Sequence, residues 1–128
     1  YRTYHGSAMA IHHQALSALA WADDTHVTVN RAIYREKINL VVKTLATTWH
    51  MESPKAGFYL WPKTPIPDAE FAVRLIKLSN VKVLPGSYLS RPTSLGDPGT
   101  NRVRLALVAT KSECLEAATR IADCWHKI

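Results

Sequence analysis

The chain has 128 residues, which is enough for one domain with a sizeable core, and its 47% hydrophobic and 20% charged residues are ordinary for a globular protein. The net charge of +6 comes from basic residues spread along the chain, which does not favour nucleic-acid binding. Arg, Lys or His interrupts every apolar run before it reaches membrane-spanning length, and no signal-peptide pattern opens the chain. We therefore expect a cytoplasmic protein that binds neither membranes nor nucleic acid.

The cysteines and histidines indicate neither a disulfide nor a metal site. Cys114 and Cys124 fall in one predicted helix, where ten residues span about 15 Å, beyond disulfide reach. We expect two free, buried thiols in a reducing cytosol. The six histidines have no metal-binding spacing.

Two helices are predicted at the N-terminal end. Residues 7–21 lack Gly and Pro and repeat apolar residues at helical spacing, with Ser7 as a candidate N-cap. Asp23 and Asp24 are candidate N-caps for a longer second helix. Its apolar positions recur every three or four residues: Tyr34, Ile38, Val41, Val42, Leu45 and Trp49. A helix of this length could connect two layers or domains.

The middle of the chain alternates short strands with a helix. "FYLW" (58–61) predicts a strand that Pro62 ends. Asp68 is a candidate N-cap for a helix whose buried face would hold Phe71, Leu75 and Leu78. A strand over 81–84, a Pro- and Gly-rich loop and a third strand over 103–109 follow.

The last helix has a defined start. Thr110 and Glu113 have the spacing of a capping box, in which hydroxyl and carboxylate each cover a free backbone N–H group. Its apolar positions are Leu115, Ala118, Ile121, Ala122 and Trp125. The order α-α-β-α-β-β-α predicts an α/β fold of the α+β type, a small β-sheet covered by helices.

The strand over 103–109 carries an unexpected charge pattern. Successive side chains of a strand alternate between faces, so Arg102, Arg104 and Ala106 share one side and Val103 and Leu105 the other. An arginine on a rigid strand could anchor a carboxylate through its parallel N–H donors. Alternatively, both arginines point to solvent from a half-exposed sheet.

The segment "AGFYLWPKTPIPDAEFAVRLIKLSNVKVLPGSYLSRPTSLGDPGTNRVRLALVA" (56–109) resembles the C-terminal small domain of fold-type I, pyridoxal-phosphate-dependent aminotransferases. The shared pattern is an aromatic strand after Ala-Gly, an amphipathic helix, a Val-rich strand into Pro-Gly-Ser, a loop and Val-Arg-Leu. The resemblance covers essentially the whole chain. It implies N-terminal helices with a connecting helix over 1–50 and a small domain over 51–128, together one compact unit without the large cofactor-binding domain.

The resemblance assigns possible substrate contacts. Arg104 matches the arginine that binds the α-carboxylate of amino-acid and 2-oxo-acid substrates, whereas Arg102 has no counterpart and is expected at the surface. Tyr59 falls where the family has an aromatic residue near that carboxylate; alternatively it is a core aromatic with a satisfied hydroxyl. The turn 85–87 matches an active-site rim or merely ends a strand. Residues 3–7 match a segment that approaches the partner subunit's active site, or they lead into a helix.

The same resemblance implies what this chain lacks. The family lysine that forms a Schiff base with the cofactor lies in a Ser-Lys context, and none of the eight lysines here has that setting. We therefore expect no catalytic or cofactor-binding residue in the chain, and no transaminase activity from it alone. The complete enzyme would be a homodimer that acts on small anionic amino acids and 2-oxo acids. A non-catalytic anion-binding module and a basic nucleic-acid binder are the alternatives.

Overall fold

The structure, a computed structural model, describes residues 6–128 and has the predicted order of elements. The helices and strands are α1 (Ile11–Ala22), α2 (Thr25–Leu45), β1 (Tyr59–Leu60), α3 (Asp68–Ser79), β2 (Leu84–Pro85), β3 (Val103–Ala106) and α4 (Lys111–Cys124). Two 3-10 turns, Gly86–Tyr88 and Trp125–Lys127, follow β2 and α4. The mixture of helices with a small antiparallel sheet confirms the predicted fold class.

Backbone contacts divide the chain into two compact units, one ending at Ala32 and one over Ile33–Ile128. The division falls inside α2, whereas the sequence suggests a boundary after residue 50. That functional boundary stays a prediction, because packing contacts do not test it.

In the first unit, α1 buries none of its side chains. It begins at Ile11, so the expected N-cap role of Ser7 is wrong: Ser7 lies four residues earlier, with a left-handed φ of 50°. The second helix begins at Thr25, directly after the two candidate caps, and the Asp23 carboxylate accepts the Thr25 N–H at 2.9 Å. This hydrogen bond lowers the pKa of Asp23.

The second unit contains the hydrophobic core. Its largest fully buried side chains come from helices and strands alike: Leu45, Leu60, Phe71, Leu75, Val103 and Ile121. Trp49 lies beyond the end of α2, yet it is buried and stacks on Trp125 with ring centroids 5.0 Å apart. Its indole N–H donates to the Lys63 carbonyl at 2.7 Å. The core thus joins the α2 end to the C-terminal turn.

The sheet has the order β1-β3-β2, and both pairs are antiparallel. The strands are shorter than predicted, and β2 includes Pro85, which pairs with Val103 although it has no N–H to donate. Backbone contacts nevertheless continue the β1–β3 register on both sides: Leu107 N–H donates to the Phe58 carbonyl, and Val103 N–H to that of Pro62. The central strand β3 is therefore supported from both edges.

Two details of α3 differ from expectation. Asp68 is its first residue and makes no cap contact; Pro67 precedes the helix. Leu78 is 41% exposed although Phe71 and Leu75 are fully buried. The apolar stripe that reaches the core is therefore narrower than the sequence pattern suggests.

The start of α4 follows the prediction. Thr110 Oγ1 accepts the Glu113 N–H at 3.3 Å, and Glu113 Oε2 accepts the Thr110 N–H at 2.8 Å, which confirms the capping box. Hydrogen bonds from Thr110 lower the pKa of Glu113. Cys114 and Cys124 are free and buried, as expected.

No helix within residues 6–128 is long and apolar enough to cross a membrane. The same residues contain no group of His, Cys, Asp and Glu side chains arranged to hold a metal ion.

Candidate functional site

The two faces of β3 differ in burial as the alternation predicts. Val103 and Leu105 are buried in the core, Arg104 is half-buried on the other face, and Ala106 is exposed there. We refer to this second face, carrying Arg102, Arg104 and Ala106 with their cross-strand neighbours, as the open face. It gathers the residues for which the sequence predicts a substrate role.

Arg104 lies at the centre of the open face. The register pairs it with Leu84 of β2, so neighbouring strands flank it. Its Nε is buried and has no hydrogen-bond partner among the residues that the structure describes. A buried donor without an acceptor costs about 1–3 kcal/mol. This donor therefore marks a position where an external acceptor would be stabilising.

Tyr59 shares the open face with Arg104. It pairs with Ala106, which makes it the diagonal cross-strand neighbour of Arg104. Its side chain is 39% exposed, with its ring edge-on to Phe58 at a centroid distance of 5.6 Å. The alternative of a core aromatic is wrong, because the residue faces outward from the sheet.

The sequence analysis missed two residues of this face, Trp61 and Lys63. Since Leu60 pairs with Leu105, one further step sets the half-buried Trp61 opposite Arg104. The bridge between Lys63 and Arg102 continues that register. The alternating positions 59, 61 and 63 indicate that these three side chains share one face of a strand. The sequence prediction ended the strand at Pro62, so Lys63 was not included in it.

Arg102 is not a plain surface residue. It is half-buried, and its guanidinium donates to the Trp61 carbonyl at 2.8 Å. This contact ties β3 to the segment after β1, so Arg102, which was expected at the surface, is only partly exposed and is held by a backbone carbonyl.

The turn after β2 packs closely on its neighbours. Gly86 donates its N–H to the Arg102 carbonyl at 2.7 Å, and a Cβ on Gly86 would lie 2.3 Å from the Gly99 carbonyl oxygen. Only glycine fits this backbone approach. The turn therefore fixes the loop 87–100 against the start of β3, and its role as an active-site rim stays a prediction.

Asp68 holds the same turn from α3. Its Oδ2 accepts both the N–H of Ser87, at 2.8 Å, and its hydroxyl, at 2.6 Å. Burial acts to raise the pKa of this carboxyl, but the hydrogen bonds from Ser87 and from backbone N–H groups together lower it. Asp68 is thus charged at neutral pH and links α3 to the strand end.

The lysines of the chain do not form a cofactor site. Lys37, the buried one, donates from Nζ to the carbonyls of Leu107, at 3.0 Å, and Ala109, at 2.6 Å, and lies 4.8 Å from the Tyr34 ring centroid. These contacts occupy the ammonium that a Schiff base would need. The other seven lysines are exposed. The described residues therefore do not fit pyridoxal phosphate by themselves.

An apolar cavity of about 90 Å³ lies on the opposite side of β3. Leu105 and Leu107 line it together with Val41 and Cys114 from the helices. Arg104 does not border this cavity, although Ala106 does, so the cavity is not part of the carboxylate position assigned to Arg104. Of the segment 3–7, residues 3–5 lie outside the described residues.

The family model "Aminotransferase class I and II" matches residues 3–121. The chain therefore belongs to this aminotransferase family.

The similar proteins agree with this assignment. An aminotransferase structure from Neisseria meningitidis is 44% identical, with a TM-score of 0.88, over 98% of this chain and 32% of that one. The LL-diaminopimelate aminotransferase of Moorella thermoacetica is 29% identical over 126 residues, 96% of this chain and 30% of that protein. A probable N-succinyldiaminopimelate aminotransferase from Thermus thermophilus is 34% identical, with a TM-score of 0.58, over 71% of this chain and 23% of that one. The chain thus spans less than a third of these relatives.

Proposed function

We propose that this chain is the substrate-binding C-terminal portion of a pyridoxal-phosphate-dependent aminotransferase, in which Arg104 binds the α-carboxylate of the amino acid and of the 2-oxo acid. The buried, unpartnered Nε of Arg104 carries this proposal. A carboxylate at that position would accept parallel N–H donors from the guanidinium. Tyr59, on the same face, would flank the bound carboxylate.

For the substrate, we propose amino transfer between glutamate and N-succinyl-2-amino-6-oxopimelate, a step of diaminopimelate and lysine biosynthesis. "YRTYHGSAM" and "NRAIYREK" resemble the corresponding segments of N-succinyl-L,L-diaminopimelate aminotransferases. The name of one similar protein, a probable N-succinyldiaminopimelate aminotransferase, supports this choice, and the name of an LL-diaminopimelate aminotransferase supports the diaminopimelate class more generally. The alternative is an aminotransferase of aspartate, aromatic or kynurenine-type substrates, since side-chain contacts would lie partly outside these residues.

Polypeptide outside these 128 residues would supply the cofactor site and the Schiff-base lysine. Pyridoxal phosphate, when bound, provides the electron sink for amino transfer. This chain's contribution is to hold and orient the carboxylate. The complete enzyme would be a cytoplasmic homodimer.

The first test is cofactor attachment. Pyridoxal phosphate and borohydride are added to the 128-residue chain and to a chain extended by the cofactor-binding portion, and mass spectrometry measures the adduct. We expect a stoichiometric lysine adduct, reversible by substrate before reduction, in the extended protein only. Such an adduct on the short chain would contradict the proposed division. N-succinyl-diaminopimelate is then compared with aspartate: conversion of aspartate alone would reject the proposed substrate.

A second test addresses Arg104. In the extended enzyme, Arg104→Lys should raise KM and lower kcat together, because a point charge replaces a two-pronged donor. Arg35→Lys, an exposed change on α2, is the matched control. An unchanged kcat/KM in the Arg104 variant would reject the assignment.

A non-catalytic anion-binding module is the second candidate, since Arg104 is in place while no lysine here is arranged for the cofactor. Arg104-dependent carboxylate binding, combined with no cofactor attachment even in the extended protein, would favour it.

A further inference from the structure

We propose that Lys63 and Arg102 form a second anion-binding position beside Arg104, so that the open face binds ligands with two separated carboxylates. This inference rests on the proposed function, because Arg104 is taken as the first carboxylate position. It assigns the choice between mono- and dicarboxylate ligands to two residues of this chain.

The first observation is a pair of like charges. Lys63 and Arg102 are directly opposite each other in the β1–β3 register. Like charges at such positions destabilise a sheet, because the side chains share one face at short separation. An anion bound between them would convert this repulsion into attraction.

The second observation is that carboxylates of the chain do not neutralise the pair. Within residues 6–128, the ion pairs are elsewhere: Arg74 with Glu70, Lys111 with Glu36 and Arg120 with Glu116. Asp68 of α3 and Asp97 of the loop accept hydrogen bonds from Ser87 and from Ser90 and Gly99, and neither forms an ion pair with Lys63 or Arg102. The positive charge of the open face is therefore available to a ligand.

The third observation is that Arg102 is held in position. Its Nη1 is bonded to the Trp61 carbonyl and the side chain is half-buried, so binding would immobilise little additional side-chain freedom. Nη1 donates to the Trp61 carbonyl, and the remaining N–H groups of the guanidinium can donate to an anion.

The spacing suits two carboxylates of one small molecule. Arg102 and Arg104 are two residues apart on one strand, a separation of about 7 Å between Cα atoms. Both arginines lie on one face, and Arg104 carries the unpartnered buried donor. The face thus offers two positions for anions, with Trp61 and Tyr59 beside them.

The test compares two five-carbon acids that differ by one carboxylate, glutarate and pentanoate. Their binding to the 128-residue chain is followed by backbone amide NMR shifts at low and at physiological salt. We expect the chain to bind glutarate about tenfold more tightly, since one charge-assisted contact is added. Lys63→Gln should remove most of that preference without weakening pentanoate. Lys77→Gln, an equal loss of charge at an exposed site on α3, should leave the preference unchanged.

Arg104→Gln separates this inference from the proposed function. We expect Arg104→Gln to lose binding of both glutarate and pentanoate. We expect Lys63→Gln to lose only the preference for glutarate. An unchanged preference in Lys63→Gln, or an equal loss in Lys77→Gln, would overturn the second anion position while leaving Arg104 in its role. If Arg104→Gln binds both acids normally while Lys63→Gln loses the preference, the Arg104 assignment fails, and the inference of two carboxylate positions fails with it, although Lys63 still contributes to anion binding.

Discussion

Helix α1 and helix α3 have the same length of twelve residues, but they differ completely in burial. No residue of α1 is buried, and Ile11 and Trp21 are 83% and 87% exposed. In contrast, α3 buries Phe71 and Leu75 fully. Apolar content does not decide the difference, since α1 is the more apolar helix by sequence.

What covers the apolar residues decides it. On α3 some of them, including Phe71 and Leu75, are buried in the core, whereas the charged Glu70 is exposed on the other side. The apolar face of α1 is not buried by the described residues. A helix is therefore stabilised by what covers its apolar stripe more than by its composition.

The largest expected effect tests this contrast within α3. Phe71→Ala should lower the free energy of unfolding by about 3–5 kcal/mol, because it removes a fully buried ring and leaves a cavity against Trp49 and Trp125. Val73→Ala, 52% exposed on the same helix, is the matched control, with an expected change within about 0.5 kcal/mol. Urea unfolding measures the free energy of unfolding of both variants. Equal losses of stability would contradict the assignment of Phe71 to the face of α3 that packs on the core.

A smaller loss of stability is expected at Asp68. Asp68→Ala removes the acceptor of two Ser87 donors and should lower the free energy of unfolding by about 1–3 kcal/mol. Asp68→Asn should cost less, since a neutral amide oxygen can still accept both bonds. Ser87→Ala, which removes only the hydroxyl donor, is the matched partial variant.

The same carboxyl gives a pH dependence. Its folded pKa is lowered below the ordinary value of 3.8, so its stabilisation is present above that value and is lost as the pH falls through the folded pKa. As the pH falls from about 4 through the folded pKa of Asp68, the difference in unfolding free energy between the parent chain and Asp68→Asn should therefore shrink. A difference that stays constant down to the lowest pH would show that the charge of Asp68 does not contribute.

At the start of α4, we expect loss of the Thr110 hydroxyl to lower the free energy of unfolding by about 1 kcal/mol. Thr110→Ala removes the hydroxyl of the capping box and exposes the Glu113 N–H to water without a side-chain partner. Thr119→Ala, on the exposed side of the same helix, should have little effect, because its hydroxyl only bonds back to Leu115. Thermal unfolding compares the two variants directly. Equal midpoint temperatures would show that the Thr110 cap does not stabilise this helix.

The smallest effect is expected on α1. Leu19 is 70% exposed, so Leu19→Ala should change the free energy of unfolding by less than about 0.5 kcal/mol. Leu75→Ala provides the matched buried leucine. A loss at Leu19 comparable with that at Leu75 would break the contrast between α1 and α3.

Local signals predicted most of the fold. The Thr110–Glu113 box and the alternation along β3 depend on neighbours in sequence, and the structure confirms both. Asp68 was misassigned because its partner, Ser87, is nineteen residues away and only the folded chain brings them together. Sequence position alone could not distinguish a helix cap from the acceptor of a distant turn.

The open face was predictable only in part. Alternation identified the side of β3 that carries Arg104, but not that its Nε would be buried without a partner. Lys63 and Arg102 became neighbours through the β1–β3 register, which continues past Pro62. Register depends on pairing between distant segments, so a single-sequence pattern does not contain it.

The bonds of Lys37 to two carbonyls at the end of β3 also affect chemical labelling. Amine-reactive reagents need an accessible, uncharged amine, and this ammonium is buried and bonded, while the other seven lysines are exposed. Under mild acetylation Lys37 would be the last lysine to be modified. The rate of its modification would then report how often α2 separates at Lys37 from the segment that follows β3, a local opening observed without unfolding the whole chain.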